Sequence, residues 1–114
     1  MIVEKKIQDF LKARISVPIY MEKPPNPPKS YVIIERVGGA ESNWISQGTF
    51  AIKSIGPTLY KAATLDHDVV TAMHDLTTID NISGCVLNAD TNFTDITTKE
   101  YRYQSTYLIN YMED

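Results

Sequence analysis

At 114 residues, 43% apolar and 22% charged, the sequence has ordinary globular composition, and a chain of this length buries roughly two thirds of its unfolded surface. One domain over residues 1–114 is expected. Apolar runs stop at three or four residues, which excludes a membrane-spanning helix, and the N-terminal residues lack a signal peptide's apolar core, so the chain is expected to stay where it is made. A formal charge of −3, with 11 basic residues scattered along the chain, argues against binding nucleic acid through its phosphates. Cys85 is the only cysteine, which rules out an internal disulfide and a cysteine zinc pair and fits a reducing compartment.

Val3, Ile7, Phe10 and Leu11 recur at helical spacing, with Glu4, Lys5, Gln8, Asp9 and Lys12 opposite. This predicts an amphipathic helix ending near Arg14, because Val17 before Pro18 is pushed into extended conformation. Residues 17–21 read as a short strand, with Pro18 suited to a strand start or sheet edge. Pro24, Pro25, Pro27 and Pro28 follow, four prolines within five residues. Polyproline geometry would carry this segment about 15 Å, at roughly 3.1 Å per residue, as a stiff spacer between strands.

Residues 31–37 are β-branched and aromatic and predict a well-buried strand, broken by Gly38 and Gly39. A polar loop holding Trp44 and Ile45 then leads to a third strand, residues 49–55, stopped by Gly56-Pro57. From Thr58, a plausible N-cap, the period changes to that of a helix of about eighteen residues, with Leu59, Ala62, Ala63, Val69, Val70, Met73 and Leu76 on one stripe. Residues 80–83 read as a turn and 84–89 as a fourth strand. A loop rich in Thr, Asp and Asn precedes the last strand, in which Tyr101, Tyr103, Ser105, Tyr107, Ile109 and Tyr111 share one face. The order α-β-β-β-α-β-β implies an α+β fold, an antiparallel or mixed sheet of about five strands with two helices packed on one side.

Reactive chemistry has no clear seat in this pattern. His67-Asp68 and His74-Asp75 repeat at a separation of two helical turns, about 10.5 Å of rise, too far for one metal ion, and read as a solvated face. Asp66 with Asp68, and Glu113 with Asp114, read as ordinary surface carboxylates. Cys85 lies in an apolar strand and reads as a small core residue. Gly38-Gly39 lacks the lysine and the following helix of a phosphate loop. The tyrosine row could stack bases, but Arg102 is the only basic residue on that strand, so core or subunit packing is the better reading. Trp44 either folds over the sheet as a lid or marks a contact. No catalytic residue, metal or cofactor is expected.

Together, the first helix, the stretch VPIYMEKPPNPPKSYVIIERVGG, the strand ending at Ile55, the long helix and the final RYQSTYLINY resemble the tail terminator, or tail completion, proteins of long-tailed bacteriophages. Residues 17–20 and 31–39 carry most of the likeness, and the proline run is richer than the pattern requires. The resemblance implies no enzyme. It implies a structural virion protein, assembled in the host cytoplasm, that caps the tail tube as a homo-oligomeric, hexameric ring, stops tail polymerisation and meets the head-tail connector protein. DNA would pass through such a ring without specific binding, and no membrane is involved. Rigid loops suit ring contacts because little freedom is lost on docking, which makes Pro24, Pro25, Pro27, Pro28, Trp44 and Ile45 the candidate ring or tail contacts. The alternatives are another head-tail connector ring protein and a small metal-assisted hydrolase built on His67, Asp68, His74 and Asp75.

Overall fold

The first apolar stripe forms helix α1 (Val3–Lys12), which buries Val3, Ile7, Phe10 and Leu11. The computed structural model describes residues 2–42 and 45–112. After α1 the chain enters strand β1 (Ile19–Tyr20), shorter than the five residues expected. The buried Gln8 amide explains part of its placement, because its Nε2 donates to the Ile19 carbonyl at 2.7 Å and ties α1 to the strand. β1 lies parallel to β2 (Tyr31–Ser42), with Ile19 opposite Val32 and Tyr20 opposite Ile33.

The glycines do not end β2, contrary to the expectation from sequence. The strand absorbs a bulge between Arg36 and Gly38 and continues to Ser42, paired with β3 (Ile45–Gly56). What reads as a polar loop is a solvent-facing hairpin arm, with Gly39 opposite Gly48 and Ala40 opposite Gln47. Alternation is weak there because neither face of the arm's end is deeply covered, so the period that marks a half-buried strand is missing.

Helix α2 (Leu59–Met73) begins where Thr58 caps it, the hydroxyl oxygen accepting from the Lys61 amide at 3.1 Å. It is shorter than expected, and a single 3-10 turn, Leu76–Thr78, completes the helical stretch. Its buried stripe is Ala62, Leu65, Asp66, Val69, Ala72 and Met73, while Leu59 is exposed. Strands β4 (Ile82–Asn92) and β5 (Tyr101–Tyr111) complete one mixed sheet in the order β1-β2-β3-β5-β4, in which every neighbouring pair but β1–β2 is antiparallel. The fold is α+β, in the element order the sequence predicts.

Both helices pack against one face of this sheet. Val32 and Ile34 of β2, Phe50 and Ile52 of β3, and Tyr107, Ile109 and Tyr111 of β5 meet the helices in a single apolar cluster. Along β3 the inward positions shrink in order from Phe50 through Ile52 and Ser54 to Gly56. A methyl group on Gly56 would stand 2.8 Å from the Ala62 nitrogen and 3.1 Å from the Lys61 carbonyl carbon, so the first turn of α2 rests on bare backbone. Gly56→Ala is therefore expected to destabilise the chain by about 1–3 kcal/mol, since the obstacle is main chain that cannot swing aside. Urea unfolding monitored by circular dichroism checks this, and a parental midpoint would refute the close seating.

Candidate interaction surfaces

The two hairpins of the sheet point in opposite directions. Ser42 and Ile45 pair at the tip of β2–β3, beside the end of β5 where Ser46 meets Tyr111. The β4–β5 connection leaves the other end, where Tyr31 and Gly56 lie. Each end exposes apolar side chains: Ile45 and Met112 at the first, Phe93 and Ile96 at the second, with Ile96 87% exposed.

At the second end the β4–β5 loop is a shaped element. Asp95 and Glu100 form a backbone bridge, and the Asp95 carboxylate accepts from the amides of Thr97 at 3.0 Å and Thr98 at 3.3 Å. Those bonds, that from Thr98 foremost, hold the Asp95 carboxyl below the usual range. Arg102 lies 5.5 Å from the Phe93 ring centroid, donates to the Phe93 carbonyl at 2.8 Å and pairs with Glu100 at 2.7 Å. Glu100 also takes Lys23 at 3.1 Å. Burial alone would raise the Glu100 carboxyl, and these two cations bring it net below its ordinary value.

That Lys23 contact positions the proline segment. Pro25, Pro27 and Pro28 are exposed and Pro24 is half-buried, in a connector held at Lys23 by the β4–β5 loop and at Tyr31 by β2. The expected spacer between strands is corrected: β1 and β2 are hydrogen-bonded neighbours, with the Val32 amide donating to the Pro18 carbonyl at 3.0 Å. A connector between adjacent parallel strands must turn back, and bends at residues 21–22, 25–26 and 29–30 achieve this. The prolines stiffen a returning loop.

The sequence-derived contact residues thus fall into two groups that the fold does not bring together. The four prolines sit at one end of the sheet, with the overlooked Phe93 and Ile96, and Ile45 sits at the other. Trp44 lies outside the described residues. Phe93 and Ile96 were hidden among threonines and acids, and two apolar residues in a polar loop were the only available signal. His67, Asp68, His74 and Asp75 are exposed, with Asp75 3.5 Å from Arg14.

Asp66 is not a surface carboxylate, and this corrects the reading from sequence. Only 3% of it is exposed, it faces Asp90 of β4 across a side-chain hydrogen bond, and its Oδ1 has no partner. Burial, then the bond and the negative charge of Asp90, push its carboxyl up to about 8. Nearby, the Tyr107 hydroxyl donates to Ser105 Oγ at 2.9 Å, and burial drives both the Tyr107 hydroxyl and the Cys85 thiol upward, the latter to about 11. The position was legible: Ala62, Asp66, Val69 and Met73 follow inward helical spacing.

An open groove of about 490 Å³ runs between the α1–β1 connection and α2, lined by Ile15, Val17, Tyr60 and Leu65 among others. No protein-family model matches this sequence, and no curated protein matches it.

An acid whose pKa rises on folding is held neutral by the native state. Its contribution to stability is full below the ordinary carboxylate range near pH 4, and is lost as pH climbs toward about 8. Asp66→Asn is therefore expected to exceed the parent in stability by about 1–4 kcal/mol at pH 8, with the difference shrinking toward pH 4. Urea unfolding at the two pH values measures it; a gap independent of pH would contradict the buried neutral acid.

Proposed function

We propose that this chain is a structural subunit of a phage tail, a tail terminator that caps the tail tube as a hexameric ring, ends tail growth and presents a surface to the head connector. The observation that carries the reading is the two-ended display of apolar side chains. A subunit between two different partners needs a separate contact at each end of a rigid body. Ile45 and Met112 stand at one end of the sheet, and Phe93, Ile96 and the prolines at the other. Support also comes from the α+β element order, and from the two segments that carry the sequence resemblance lying side by side as β1 and the start of β2.

The chemistry of both ends suits docking. Exposed prolines have few conformations to lose, and the Asp95 and Arg102 bonds pre-shape the β4–β5 loop, so little ordering cost arises on contact. The role calls for no reacting group: the exposed His67 and His74 and the protonated Cys85 thiol stand outside it.

Mixing the purified chain with uncapped tail tubes of its own phage is expected to place added density on one end of each tube in negative-stain images, and to stop tube elongation. Ile96→Asp should weaken capping at least tenfold, about 1.4 kcal/mol or more, without lowering the melting temperature of the free subunit. Tubes that elongate unchanged in the presence of the chain would end this reading.

A further inference from the structure

The sheet leaves backbone unpaired at both of its edges. β4 forms one edge over its whole length, Ile82–Asn92, and β5 pairs with it on one side only. At the opposite edge β1 covers only Val32 and Ile33, so the arm of β2 beyond the bulge, residues 37–42, is paired with β3 alone among the described strands. Natural edges are blunted by prolines, lysines or inward charges. The β4 sequence ISGCVLNADTN has no proline, lysine or arginine, and its inward charge, Asp90, lies beyond residues 82–86, although the strand's register shifts after Ile82 and again after Leu87. Residues 37–42, VGGAES, have no proline or basic residue and one charge, Glu41. Both stretches expose apolar side chains, Val86 at 62% and Val37 at 53%.

Their directions are complementary. Three successive antiparallel steps separate β2 from β4, so the two edges run oppositely. A copy placed beside this one by rotation about an axis along the strands would set its β2 antiparallel to this β4, in the same sense as every contact between them. The heights agree as well. Following the pairs across the sheet, Gly38 is level with Thr49, Leu108 and Val86, and Glu41 with Ser46, Tyr111 and Ile82. Rotation without translation therefore brings residues 82–86 of one copy opposite residues 38–41 of the next, clear of β1.

We infer that β4 pairs edge to edge with the free arm of β2 of a second copy of this chain, joining subunits into one continuous sheet. The contact is heterologous, patch to different patch, which is the kind a closed ring repeats. A two-fold β4–β4 dimer would leave the β2 arm unpaired on both copies, whereas the head-to-tail arrangement uses both edges of every subunit. The inference deepens the ring assembly proposed above and rests on it for closure.

Light scattering and amide hydrogen exchange at rising concentration test it. The 12.9 kDa chain is expected to gain mass while peptides covering 37–42 and 82–87 become protected together. Successive amides of a strand point to alternate sides, so one of Val86→Pro and Leu87→Pro removes an outward donor and spares the β4–β5 bonds. The variant that melts like the parent should stay monomeric, whereas Tyr60→Ser, altering an exposed α2 side chain, should associate normally. Association without protection of these edges, protection of 82–87 alone, or a chain that stays monomeric throughout would overturn the inference. Tubes capped by a ring whose edges exchange freely would remove edge pairing and keep the capping role. Edge pairing without tube capping would do the reverse.

Discussion

The close approach of α2 to the sheet governs how the rest of the molecule packs. Bulk falls away along β3 from Phe50 to Gly56, and the first turn of α2 sits on the last of these positions. Ser54 and Ser105 are fully buried and fill little space, so the helix lies low over the centre of the sheet. A helix so placed covers β3 and β5, leaving α1 to cover β1 and β2. Arg36 helps to lock that second helix: it pairs with Glu4 of α1 at 2.7 Å, with its guanidinium 5.5 Å from the ring centroids of both Phe50 and Tyr111.

Burial at the centre has an electrostatic cost that the structure localises. Asp66 enters the core on the inward stripe of α2 and meets Asp90, so one of the two carboxyls retains a proton where an isolated surface acid would not. The neighbouring Ser105 and Tyr107 make the seam between α2, β5 and β4 one of the polar parts of the layer, beside the buried Gln8 and Ser54. Asp90 belongs to the outermost strand, so this pair lies where the sheet's edge meets its covering helix.

Much of the architecture could be read from periodicity. The alternation of β5 marked its inward face, and Ser105, Tyr107, Ile109 and Tyr111 are all buried. Thr58 marked the start of α2 because a hydroxyl before a helical stripe has a specific task there. The hairpin arm was not legible, since residues 38–41 and 45–47 are mostly glycine and polar and mostly exposed, and pairing rests on backbone bonds that no side-chain period records. The proline run was legible as stiff but not as reversing, because its path is set by the parallel pairing of β1 with β2. Asp66 was misread because a charged side chain was assigned to solvent before its helical position was weighed.

The order of pairing along the chain also bears on how the fold is reached. β2 with β3, and β4 with β5, are hairpins whose partners are close in sequence, so each can form early and independently. The seam between them is different: Gly56 must find Tyr101 and Ser46 must find Tyr111, with α2 in the intervening chain. Closing those long loops costs more chain entropy than closing either hairpin. Joining the two hairpins, with α2 laid across both, is thus the most entropically costly closure in the sheet.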